Sequence, residues 1–138
     1  MTYRLRVLFV CEHDAGASRM CAAYLQQAAG DRYESLAAAL EPAAGLRPEA
    51  AVSLSEDGLP VVDGPGLRMS GDLAGIVDRI VTLGFTLNPG VAPEVPREEW
   101  GVPSPAGRPI QEVRVIRDTI RRLIERLVAR LDTEAAVR

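Results

Sequence analysis

The sequence predicts a small α/β sandwich in which a parallel sheet is covered by helices on both sides. Three observations predict it. Residues 5–10 (LRVLFV) form a nearly unbroken apolar run, the pattern of a strand buried on both faces. Residues 79–83 (RIVTL) form a second β-branched run, ended by Gly84. Between and after these runs the apolar residues recur at helical spacing, most clearly over 110–131. There Ile110, Val113, Ile116, Ile120, Leu123, Ile124, Leu127 and Leu131 trace one face. Strands alternating with helices imply a parallel sheet with helical layers.

The remaining elements follow in chain order. After the first strand comes CEHDAGAS, a short polar loop with one glycine. A helix is expected to open at Ser18, a good N-cap, and to run to Ala29, before Gly30. Cys21, Tyr24, Leu25 and Ala28 make its apolar stripe. Residues 33–40 read as a strand weakened by alanine. Pro48 suits a first helical position and starts a short helix that stops near Gly58. Residues 70–77 suggest a further helix, capped by Ser70 with Asp72 in its first turn. Six prolines between Gly84 and Pro109 predict mostly irregular loop. There is no repeat and no dividing linker, so one domain is expected over 1–132, followed by a short tail, 133–138.

Composition narrows the function classes. The chain has 138 residues and a net charge of −3, which argues against a basic nucleic-acid or anionic-membrane binder. No apolar run approaches the ~20 residues of a membrane span, and no signal-peptide pattern is seen at the N-terminus. Two cysteines ten residues apart are not a disulfide framework, so a reducing cytoplasm is expected. All 16 basic residues are arginine, and alanine is abundant, a composition that suggests a GC-rich bacterial source. His13 is the only histidine and there is no cysteine cluster, so no metal site is expected, and no cofactor. Its expected role is an exposed or loop-stabilising side chain.

The first loop carries the chemistry. A buried strand that enters a glycine-containing loop and then a helix is an anion-binding layout, because free N–H groups and the helix dipole favour a negative ligand. Cys11 falls at the carboxyl end of that strand, where open α/β sheets place ligands. A thiol facing a helix N-terminus is a plausible nucleophile; a cysteine that simply ends a buried strand is the other reading.

These residues also carry a resemblance. VLFVCEHDAGASRM is similar to the signature of the low-molecular-weight protein tyrosine phosphatase and arsenate reductase family, whose loop reads Cys-x5-Arg-Ser/Thr directly after the first strand. LEPA at 40–43 and IVTLG at 80–84 resemble further family segments. So do Trp100, the Ser104-Pro105-Ala106-Gly107 run, and VRVIRDTI at 113–120, all in the family's order. The resemblance spans nearly the whole chain. It implies a three-layer α/β/α sandwich around a four-stranded parallel sheet. It also implies an anion-binding loop made by Glu12, His13, Asp14, Ala15, Gly16, Ser18 and Arg19, with Cys11 in the nucleophile position.

The departures matter as much. The family's oxyanion-clamping arginine corresponds to Ala17, and its general-acid aspartate to Ser104. Arg19 lies two residues beyond Ala17, about 200° around a helix, and is expected to point away from the loop. Asp14 replaces the family's loop asparagine, and Glu12 adds a carboxylate beside Cys11; both oppose thiolate formation and dianion binding. The positions that often carry relay cysteines in arsenate reductases hold Phe85 and Pro89. Cys21 is expected to pack in the core, although a Cys11–Cys21 disulfide stays open because sequence does not give the geometry. Trp100 is expected to pack near the loop. The arginines of the last helix are expected to form a solvated face laced by i, i+4 pairs such as Arg114–Asp118 and Arg121–Glu125.

Together these features suggest a pseudoenzyme: a family member with its nucleophile retained and its clamp and acid replaced. It would bind an oxyanion, a phospho-ligand or a protein partner, with no nucleic acid and no membrane involved. One rival is an active phosphatase or arsenate reductase with a rearranged site. In it Arg19 reaches the anion and Glu12, Asp14, Glu98 or Glu99 supplies the proton. A redox sensor built on Cys11, alone or with Cys21, is the other.

Overall fold

In the computed structural model, residues 4–13, 16–43, 45–60 and 66–137 are described. The elements are β1 (Leu5–His13), α1 (Ala17–Ala29), β2 (Tyr33–Glu41), α2 (Pro48–Glu56), α3 (Gly71–Ala74), β3 (Arg79–Leu83), β4 (Arg97–Trp100) and α4 (Ile110–Ala136). The four strands form one sheet in the order β2-β1-β3-β4, and every pairing is parallel. The chain winds outward from β1 in both directions, so the carboxyl ends of β1 and β3 flank a topological switch point.

β1 is central, and Val7, Leu8, Phe9 and Val10 are all fully buried. Its side chains alternate between two cores. Val7, Phe9 and Cys11 join Val81 and Leu83 of β3 beneath α1, α2 and α4. Leu8 and Val10 join Ile80 of β3 and Ala38 of β2 on the opposite face. That second layer is thin. It consists of α3 and the chain around Leu87 and Val95 rather than a long helix.

Several expectations are corrected. The N-cap of the first helix is Gly16, two residues before the expected Ser18, which lies inside the first turn and is buried. Ala28 is exposed, and Ala29 takes its place in the stripe. Ser70 does cap a helix, accepting from the Leu73 N–H at 3.1 Å, but that helix ends at Ala74, with Gly75 following. Residues 84–109 are mostly irregular, as expected, with one strand that the sequence did not indicate. β4 lies within them between Pro96 and Gly101, paired to β3 on one side only. Its charged sequence, REEW, has low strand propensity, and the pairing comes from β3 rather than from local preference. The last helix continues five residues beyond Leu131.

α4 buries Val113, Ile116, Ile120, Ile124, Leu127 and Leu131, as its periodicity requires; Ile110 and Leu123 sit at the margin. Its arginines do not make the expected i, i+4 pairs. Arg114 and Arg117 reach Glu56 of α2 at 2.6 and 2.7 Å, and Arg121 reaches Asp57 at 2.9 Å. Arg130 reaches Glu98 of β4 at 3.0 Å. Within the helix Asp118 pairs instead with Arg117 at 3.0 Å and, at i, i+3, with Arg121 at 3.4 Å, while the acids on neighbouring elements tie α4 to α2 and β4. Among the described residues, no helix is long and apolar enough to cross a membrane.

Candidate active site

Cys11 sits near the carboxyl end of β1, in register with Ala39 of β2 and Leu83 of β3. It is 4% exposed. β1 continues to His13, so Cys11 is held by the sheet rather than by a loop. The thiol donates to the Ser18 hydroxyl at 3.2 Å and lies 3.8 Å from the Ala38 carbonyl. Ser18 is itself buried, in the first turn of a 13-residue helix. With Cys11 ionised, the same contact runs the other way, the Ser18 hydroxyl donating to the thiolate.

Gly16 makes this approach possible. Its φ of 108° lies in the left-handed region, and its carbonyl accepts from the Met20 N–H at 2.8 Å to start α1. A Cβ there would come within 3.1 Å of both Ala50 Cβ and Leu46 Cδ1. Gly84, with φ of 76°, serves the opposite wall; its N–H bonds the Trp100 carbonyl at 2.9 Å, and a Cβ would meet the Val102 carbonyl at 3.1 Å.

Between these walls lies a pocket of about 140 Å³. That is room for about four water molecules or one tetrahedral oxyanion. Cys11, Ala17 and Ser104, which are distant in sequence, line it together. Glu12 and His13 stand on its rim, and Leu83, Gly84, Val102 and Pro103 complete its sides. No arginine is among the lining residues described. The Ser104 hydroxyl accepts from the Ala106 N–H at 3.2 Å and so is occupied in shaping its own turn. His13 is exposed, its Nδ1 3.1 Å from a Glu41 carboxylate oxygen on the neighbouring strand.

Other expected site residues lie elsewhere. Arg19 lines a different, larger cavity between α1, β2 and α2. Asp14 and Ala15 fall outside the described residues. Cys21 is fully buried, and burial, followed by the nearby Cys11, pushes its thiol well above the usual range. Cys11 and Cys21 are not joined by a disulfide in this structure. Phe85 is half-buried against the second core and Pro89 is exposed. Trp100 is buried, 5.8 Å from Phe9 between ring centroids, with its Nε1–H donating to Glu98 at 2.9 Å. Glu98 therefore serves Trp100 and Arg130 rather than facing Cys11. Among the described residues, no three His, Cys, Asp or Glu side chains gather as metal ligands.

One neighbour escaped sequence reasoning. The Arg108 Nε–H donates to the Ser104 carbonyl at 2.7 Å, tying an exposed guanidinium to the chain that forms one pocket wall. The i+4 spacing from Ser104 is the only signal that could have marked it.

No family model matches the sequence. Individual proteins do. An arsenate reductase of Bacillus cereus (strain 03BB102) is 28% identical over 129 residues, covering 91% of this chain and 96% of that protein. The YwlE arginine phosphatase from Geobacillus stearothermophilus superposes with a TM-score of 0.75 at 26% identity, covering 94% of each chain. In sequence and fold the chain resembles arsenate reductases and low-molecular-weight phosphatases. Two more distant structures share the family fold. One is an arsenate reductase in the phosphate binding state (TM-score 0.81, 21% identity, covering 91% of this chain and 98% of that one). The other is a low-molecular-weight protein tyrosine phosphatase from T. tengcongensis (TM-score 0.77, 19% identity, covering 91% and 99%). The four-stranded parallel sheet and its helices are thus those of the family.

Proposed function

We propose that this chain is a catalytically degenerate member of the family that keeps an oxyanion-sized pocket over Cys11 and acts by binding rather than turnover. The observation that carries this reading is Ala17. It lines the pocket beside Cys11 where the resemblance puts the clamping arginine, while Arg19, the nearest arginine in sequence, lines another cavity. A positioned arginine in phosphoryl transfer contributes roughly 10³–10⁵ in rate, and a general acid roughly 10²–10⁴. Ser104 cannot replace the acid near neutral pH. The described rim adds a carboxylate, Glu12, where an incoming dianion would need positive charge.

The ligand we assign to the pocket is a phosphate- or arsenate-like oxyanion, or a phosphorylated group presented by a partner. The pocket volume supports it, as does the phosphate binding state of the related arsenate reductase. We place the protein in a bacterial cytoplasm, a reading supported by its lysine-free, alanine-rich composition and by two cysteines that are not disulfide-bonded.

One observation favours the second reading, a working enzyme. The Cys11–Ser18 contact is the arrangement that stabilises an ionised nucleophile, and it is retained at 3.2 Å. Hydrolysis of an aryl phosphate, and arsenate reduction coupled to thioredoxin, separate the two. The binding reading expects neither above background. A robust turnover abolished by Cys11→Ser overturns it and establishes the enzyme. A sensor built on Cys11 would instead be marked by peroxide oxidation of Cys11 far ahead of Cys21, read by mass spectrometry.

A further inference from the structure

A second cavity, larger than the one over Cys11, is separate from it, and the two share no lining residue among those described. It measures about 520 Å³, within the usual size of small-molecule sites. One wall is a face of α1. Arg19, Ala22, Ala23, Gln26 and Gln27 all line it, and their i, i+3, i+4, i+7, i+8 spacing places them on a single stripe. From Arg19 to Gln26 that stripe is about 10 Å long at 1.5 Å per residue.

The cavity exists because its walls are short. Ala22 and Ala23 on α1, and Ala37 on β2, end at Cβ where longer side chains would close the space. The opposite wall is aliphatic, with Leu54 and Leu59 both buried and Leu67 half-exposed at the mouth. Ser35, the polar residue of the floor, is already engaged, its hydroxyl donating to the Ala22 carbonyl at 2.9 Å. The interior therefore asks for an apolar occupant. Among the described lining residues the one charged side chain is Arg19, at one end; the other end carries two neutral glutamines. A guanidinium has five N–H donors and accommodates a ligand carboxylate alongside other acceptors.

We propose that this cavity binds a medium-chain aliphatic carboxylate, its alkyl chain lying along Ala22 and Ala23 and its carboxylate at Arg19. The match is one of length, of apolar lining and, among the described lining residues, of charge confined to one end. The site stands independently of the Cys11 pocket, and so of the function proposed for it.

The test is a titration of the whole protein with octanoate, followed by calorimetry and by thermal shift. Saturable binding with a raised Tm is expected. Arg19→Gln should weaken octanoate about tenfold or more while leaving octan-1-ol little changed, because only the carboxylate loses its partner. Ala23→Phe fills the space and should abolish binding of both. Leu67→Glu, at the half-exposed mouth, puts a like charge near the ligand without disturbing the core, and should weaken octanoate even if Ala23→Phe fails to fold. Absence of saturable binding up to millimolar octanoate overturns the proposal. So does unchanged affinity in Leu67→Glu, or displacement of octanoate by inorganic phosphate, which would put the ligand in the Cys11 pocket.

Discussion

The sulfur of Cys11 lies 3.2 Å from the hydroxyl oxygen of Ser18, and neither group is open to solvent: one is 4% exposed, the other 1%. Strand and helix are fastened together at this contact, at the point where the pocket begins. Replacing Ser18 by alanine removes the partner and leaves a small void. We expect a stability loss of about 1 kcal/mol, measured by urea unfolding. We also expect slower alkylation of Cys11 by iodoacetamide, since the thiolate loses its donor. An unchanged alkylation rate would mean that the contact is structural only.

Restoring the missing groups tests whether the remaining scaffold is competent. Ala17 is 3% exposed and lines the pocket, so an arginine introduced there enters the oxyanion site directly. The Ala17→Arg, Ser104→Asp double variant should raise aryl phosphatase activity by about 10² or more over the parent chain. Cys11→Ser in that background should remove the gain. If the double variant folds and shows no gain, the backbone of the loop has changed along with its side chains.

The link between α2 and α4 should fail in acid. The Arg114 guanidinium, followed by Arg117, holds the Glu56 carboxyl below its usual range despite a smaller opposing effect of burial. Asp57 is held low by Tyr24, whose hydroxyl donates to it, and by Arg117 and Arg121. Groups whose folded pKa is depressed stabilise above their unfolded pKa, and that stabilisation is lost as pH falls through the folded value. Stability should therefore hold at neutral pH and decline below about pH 4.5, where carboxylates of the unfolded chain begin to protonate. In Glu56→Gln and Asp57→Asn this acid-side decline should be shallower, by denaturant midpoints measured across the acid range.

Arg97 holds the chain before β4 in place. Its guanidinium donates to the carbonyls of Val91 and Ala92 at 2.5 and 2.6 Å, and to that of Asn88 at 3.5 Å. Ala92 adopts a φ of 42°, a left-handed conformation that these contacts stabilise. Arg97→Ala should cost about 1–3 kcal/mol, because carbonyls in that turn lose a charged donor. The backbone amides of 88–95 should exchange hydrogen faster while those of β1 remain protected.

The aromatic pair under the site should matter for folding more than for binding. Phe9 is fully buried against Trp100. Phe9→Leu should destabilise by about 1–3 kcal/mol without altering phosphate affinity, whereas Trp100→Phe frees Glu98 and loosens its contact with Arg130. Thermal unfolding beside phosphate calorimetry separates the two effects.

What could be read directly from the residues is what local pattern controls. The apolar run of residues 7–10 in β1 reads as a strand buried on both faces, and the periodicity of α4 puts Val113 and Leu131 on one side, so these needed no tertiary information. The motif around Cys11 likewise carried the family resemblance and placed Ala17 where that resemblance expects an arginine. β4 was not legible, because a short charged strand draws its stability from the ladder with β3. The partners of the α4 arginines were not legible either, since Glu56, Asp57 and Glu98 are remote in sequence and chain geometry alone brings them close. The same holds for the site. Sequence identified Cys11, Ala17 and Ser104 one by one, but only the parallel register of β1 against β3, and the turn after β4, put them around one small space. Arg19 shows the division best. Helical spacing turned it away from Cys11, and only the packing of α1 against β2 and α2 created the cavity into which it faces.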